Sequence, residues 1–206
     1  MNTKSSFIAI GIFLIAITLF SCSDKKKIEV RDKAGKISES YQINRKSGKK
    51  EGLYKHFYPN GKLNEEATYK DGMLDGYRKL YRENGSLEIH ENYLSGAFQG
   101  EFTSYYPNGK LNVIGKYLNN EMTGLWKRYY DSGELMEETL FSENEENGPF
   151  KEYYKNGKIK TEGTYLNGPH EHGELRMYDE NGIIVKKMNC DNGVCHTIWE
   201  SKEPAK

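Results

Sequence analysis

Glycines at Gly52, Gly76, Gly100, Gly124 and Gly148 fall 24 residues apart, and Gly173 follows after 25. A period of this length confines a chain to repeat architectures, in which one small unit is copied and each copy buries its apolar side on the next. With each of these glycines taken as position 0, position 5 is Phe57, Tyr81, Tyr105, Tyr129, Tyr153 and Tyr178, aromatic in every copy. Position 9 is Gly61, Gly85, Gly109, Gly133, Gly157 and Gly182. Position 11 is leucine or isoleucine from Leu63 to Ile184, and position 17 is aromatic from Tyr69 to Tyr165 before becoming Cys190. The one extra residue is placed in the loop NGPHEHG, and a degraded half-repeat, AGKI at Ala34 to Ile37, precedes the first full copy.

Each copy reads as a β-hairpin. The stretch YYPNGKL at Tyr105 to Leu111, with close relatives at Phe57 to Leu63 and Tyr153 to Ile159, holds strand end, turn and strand start. Proline fits the second position of a type I turn, asparagine or serine the third, and the glycine after them the left-handed site of a G1 bulge. That register sets position 5 opposite position 11 as a cross-strand pair, the expected repeat core. A lone hairpin is not stable in water, so the copies must stack edge to edge; twelve strands at about 4.8 Å each make a ribbon of roughly 55 Å. Tyr54, Phe102, Trp126 and Phe150 at position 2 have the opposite parity to position 5 and belong to the other face. Glycine or asparagine at position 20 opens a tighter link to the next hairpin. The fold class expected is therefore all-β, an elongated single antiparallel sheet of about six hairpin repeats starting at 52, 76, 100, 124, 148 and 173 and ending at 195.

Outside the repeats, Lys4 and the apolar run Phe7 to Phe20 have the layout of a signal peptide, too short to span a bilayer as a helix. LFSC at Leu19 to Cys22 resembles the lipobox of bacterial lipoproteins, which implies cleavage after residue 21 and a lipid on Cys22; the alternatives are an ordinary signal peptide or a buried cysteine. Residues 22–27 then form a lipidated start and short tether, 28–51 a degenerate half-repeat, and 196–206 a C-terminal tail. Ser23 rather than aspartate after the cysteine favours, by the same resemblance, the outer membrane of a Gram-negative cell envelope. Lysine plus arginine equals aspartate plus glutamate, 30 against 30, so no long-range field draws in nucleic acid.

The repeated pattern resembles the MORN-variant repeat of bacterial proteins named YwqK-family antitoxins, over about Gly52 to Gly193. The resemblance implies a sheet of stacked hairpins that acts as a binding or scaffold surface. No phosphate loop, nucleophile elbow or paired CxxC set is present, so no catalytic residue, cofactor or metal is expected. His170 and His172 lie in the long loop without an evident third ligand, and a solvated loop is the favoured reading. Cys190 and Cys195 flank DNGV, a type I′ turn signal that sets them opposite each other at disulfide distance; free thiols or a metal site with His196 are the alternatives. The expected function is a non-catalytic, membrane-anchored, monomeric scaffold that binds another protein of the envelope. Neutralisation of a toxin protein and binding of an envelope glycan are the alternatives, and aromatics gathered on one exposed face would favour the glycan.

Overall fold

In the computed structural model, residues 24–202 are described. They form one antiparallel sheet of sixteen strands, fifteen of them side by side in sequence order and the two-residue strand Ala97–Phe98 off that path, with no helix among them. The sheet begins with β1 (Lys25–Arg31) and β2 (Ile37–Asn44), continues with β3 (Lys50–Phe57) and β4 (Leu63–Lys70), and ends with β14 (Gly173–Tyr178), β15 (Ile184–Asp191) and β16 (Val194–Glu200). The expected all-β sheet of stacked hairpins is the fold observed.

It is longer than six hairpins. Residues 28–51, expected as a degenerate half-repeat, supply most of a complete hairpin, β1 and β2, with the same turn as the others: Gly35 has φ 80° and donates its N–H to the Asp32 carbonyl at 3.0 Å. This hairpin keeps the turn glycine and Ile37 but has Lys26 and Arg31 where the repeats have glycine and an aromatic, so periodicity passes over it. At the other end the expected tail at 196–206 begins inside β16.

The turns follow the chemistry of their residues. In each of the six repeats the position-9 glycine donates its N–H to the carbonyl of position 6, as Gly61 does to Tyr58 and Gly109 to Tyr106. Gly109 has φ 83°, the left-handed site of the bulge, and Phe57 pairs with Leu63 as the register requires. Five of the links between hairpins are tight two-residue turns of the type I′ kind, with positive φ at both residues, as at Asp71 and Gly72 (51° and 86°) and at Asn192 and Gly193 (49° and 80°), whereas the link before Gly173 is a longer loop that closes with the Leu166 N–H on the His170 carbonyl at 3.0 Å. The position-0 glycines are bulges. Tyr69 pairs with Leu74 and Ala67 with Arg78, so three residues including Gly76 (φ 102°) stand opposite Thr68 alone. The Thr68 hydroxyl fills the gap, donating to the Asp75 carbonyl at 2.5 Å and accepting the Tyr77 N–H at 3.1 Å.

The heptad also holds neighbouring repeats together. At position 6, Tyr58, Tyr106, Tyr130 and Tyr154 donate their hydroxyls to the carbonyls of Tyr81, Tyr129, Tyr153 and Tyr178 at 2.7–2.8 Å. Arg82 does the same to Tyr105 at 2.7 Å. Asn108 and Asn156 at position 8 reach the next turn at Asp131 and Glu180, 2.7 and 2.8 Å away. Lys62 and Lys158 at position 10 reach Asn84 and Asn181 at 3.0 and 2.7 Å, and Lys110 reaches Ser132. The last repeat has Asp179 and Ile183 in place of tyrosine and lysine.

The core corrects one expectation. Phe57, Tyr81, Tyr105, Tyr129, Tyr153 and Tyr178, expected as repeat core, are half-buried. The hydrophobic residues the sheet buries most are Tyr54, Ala67, Tyr93, Trp126, Phe150, Leu175 and Cys190, at positions 2, 15 and 17 of the opposite face. Position 5 is the last residue before a turn, at the margin of the sheet, whereas position 2 is mid-strand with neighbours on all sides. Margin tyrosines keep their hydroxyls in polar company, and Tyr153 and Tyr178 each donate to a glutamate, Glu138 and Glu162, at 2.6 Å.

Candidate functional site

Alternation along the strands puts positions 2, 13, 15 and 17 on one face. Large rings at position 2 pair in register with small residues at position 15: Tyr54 with Ala67, Phe102 with Gly115, Trp126 with Thr139, Phe150 with Gly163. A Cβ added at Gly115 would lie 2.0 Å from Cδ2 of Trp126, so that indole lies directly against the glycine of the neighbouring strand. This small-for-large exchange is visible in the sequence once positions 2 and 15 are compared, but position 15 keeps no residue type, so invariance does not mark it.

With room made for them, the rings touch one another along the face. Tyr41, Tyr54 and Tyr69 are joined at centroid separations of 6.3 and 5.7 Å. Tyr93, Phe98, Tyr117 and Trp126 follow at 4.5, 5.0 and 5.2 Å, Phe141 lies 5.9 Å beyond Trp126, and Phe150 stacks on Tyr165 at 4.1 Å. Burial pushes the Tyr54, Tyr93 and Tyr165 phenols up to about 12.

Charge enters this face at several places, Glu39 and the Lys186–Glu200 pair among them, and three of them frame the aromatic rows. Arg78 stands at position 2 of the second repeat and interrupts the rings; it pairs with Glu65 at 2.7 Å and Glu91 at 3.3 Å, and the Tyr93 hydroxyl donates to Glu91 at 3.0 Å. Lys50 sets its ammonium 4.1, 4.9 and 5.2 Å from the ring centres of Tyr54, Tyr69 and Tyr41, a cation held by aromatic faces. The third place is a cleft of about 290 Å³ over repeats three to five, lined by Met122, Trp126, Phe141, Arg128, Glu137 and Glu146. Arg128 is hydrogen-bonded to Glu137, whose other oxygen accepts the Thr139 hydroxyl at 3.0 Å. Glu146 has no ion-pair partner among the described residues. Trp126 is 7% exposed and its Nε1 finds no acceptor among them, so packing rather than a hydrogen bond fixes the ring.

The opposite face is more fully self-paired, with Lys55 to Glu66 at 3.0 Å, Lys127 to Glu138 at 3.6 Å, and the Tyr77 hydroxyl donating to Glu66 at 2.8 Å. Cys190 and Cys195 are register partners with bonded sulfurs and a Cα separation of 4.0 Å. Cys190 packs with Phe150 and Leu175, so the bridge occupies the place that a ring holds in earlier repeats. His172 lies 3.4 Å from Asp191, and no three His, Cys, Asp or Glu side chains among the described residues are grouped to hold a metal. Cys22 lies outside the described residues.

The family model of the MORN repeat variant matches six segments, 50–71, 74–94, 98–119, 122–143, 146–167 and 171–192. No curated protein matches the chain.

Proposed function

The chain belongs to the MORN repeat variant family, and from that premise we propose that it is a non-catalytic scaffold that binds another protein of the cell envelope, held at the membrane by a lipid on Cys22. The observation that carries the reading is topological. All sixteen strands share one sheet, so no second layer of described structure covers the aromatic face or its cleft. A continuous patterned surface of this kind serves to hold a partner. The glycan alternative is the weaker reading. The rings do gather on one face, but Tyr54, Tyr93, Trp126 and Phe150 are 4–9% exposed, packed on one another and on their strands, so they offer no open row of ring faces as broad as a sugar, and the exposed part of Trp126 is confined to the cleft. A toxin remains one kind of protein the scaffold could hold.

Capture from an envelope extract tests both halves. The full chain should retain a defined protein partner, and Cys22→Ser should move the chain from the membrane to the soluble fraction. Capture of nothing above a control protein sinks the scaffold reading, and unchanged partitioning of the variant sinks the anchor.

A further inference from the structure

We infer that the cleft floored by Trp126 and Phe141 and rimmed by Glu146 is a binding site for a cationic side chain, a lysine or arginine presented by the partner protein. This deepens the scaffold reading and rests on it. The molecule contains its own precedent. In the first repeat Lys50, at position −2, lies against Tyr54 at position 2 and Tyr69 at position 17. In the fourth repeat the same two ring positions are Trp126 and Phe141, while position −2 is Met122, which brings no charge. The aromatic platform is thus repeated without its internal cation, and Trp126 is the strongest of the ring types for holding one.

Charge around the cleft points the same way. Of the two cations in the lining, Arg128 is neutralised by Glu137, itself further fixed by Thr139, and Lys127 by Glu138 at 3.6 Å. Glu146, the register partner of Phe141, remains as a carboxylate without an ion-pair partner on the cleft wall. An aromatic floor and one unpaired acid suit an ammonium or guanidinium on an apolar stem, the stem against Met122 and the rings and the head toward Glu146. A neutral aliphatic chain would leave that acid unanswered, and an anion would meet it.

The test follows the indole N–H resonance of Trp126 in the full chain, with Trp199→Phe identifying which of the two indoles is which. The probe is Nα-acetyl-lysine methylamide, compared with its norleucine analogue, which has a stem of similar length and no charge. The lysine probe should shift the Trp126 signal saturably and bind at least tenfold more tightly than norleucine. Glu146→Gln should weaken it three- to tenfold, and Met122→Lys, which rebuilds the Lys50 arrangement, should abolish it. Equal binding of norleucine, the absence of a saturable shift, or indifference to Glu146→Gln overturns the site. A chain that still captures its envelope partner but shows no lysine-specific shift removes this inference alone; a chain that shows the shift and captures nothing removes the scaffold reading instead.

Discussion

Glycine does two different jobs in this sheet, and substitution separates them. Gly109 has φ 83° and open space around the direction of a side chain, so any cost there is conformational. Gly109→Val should destabilise by about 1–3 kcal/mol, because a β-branched residue resists the left-handed region, and Pro107→Ala should cost well under half of that. Gly115 has no positive φ; its missing side chain is the space that Trp126 fills. Gly115→Ala should cost a similar amount by overpacking and should also change the emission of Trp126, which Gly109→Val should leave alone. Chemical denaturation followed by tryptophan fluorescence reads both, and matching spectral changes in the two variants would refute the division.

Hairpins were the legible element, because turn type depends on residues three or four apart whose identity is written directly in the chain: Pro107, Asn108 and Gly109 suffice for the loop, Asn192 and Gly193 for the link. The clasp between hairpins was not legible. Its donors, Tyr106, Asn108 and Lys110, lie 22 or 23 residues from acceptors that are backbone carbonyls, and a carbonyl leaves no mark on residue identity. The buried face was only half legible, since residue type is constant at position 5, on the margin, and variable in the buried pairing of positions 2 and 15. The clasp makes a testable inequality. Repeats three and four are joined by all three donors, but repeat four has Ser132 and Glu134 in the positions of asparagine and lysine, so of the three clasp hydrogen bonds only that of Tyr130 reaches repeat five, beside an exposed 4.0 Å contact of Lys155 with Asp131. At about 1 kcal/mol for each hydrogen bond, amides on the turn side of the fourth junction should exchange faster than those of the third. The double substitution Asn108→Ser with Lys110→Glu copies repeat four into repeat three and should raise exchange around Tyr129 by about tenfold or more, toward the level around Tyr153. Unchanged exchange at Tyr129 would mean that the side-chain clasp does not hold the repeats.

In the whole molecule the sheet has one layer, and its stability must be gathered along its length from contacts between neighbours. The buried rings are spread accordingly, from Tyr54 in the first repeat to Tyr165 in the fifth, and this gives the fold a weakness to alkali. Burial raises both phenols from the ordinary value of 10 to about 12, with nearby glutamates adding to the shift. A phenol whose native pKa exceeds its unfolded one favours the folded state while it is protonated. The full contribution is present below pH 10 and is lost as pH rises toward 12, because the unfolded chain releases those protons first. Thermal midpoints should therefore fall between pH 10 and 12, with phenolate absorbance from the buried tyrosines rising together with loss of the sheet. Alkali acts on other groups of the chain as well, and equally in both proteins, so the informative quantity is a difference. Phenylalanine cannot ionise, and no hydrogen bond of either hydroxyl would be lost, so Tyr54→Phe with Tyr165→Phe should match the parent chain at pH 8 and lose less stability by pH 11.5. Parallel falls in the two proteins would mean that these two phenols are not the source of the alkaline weakness.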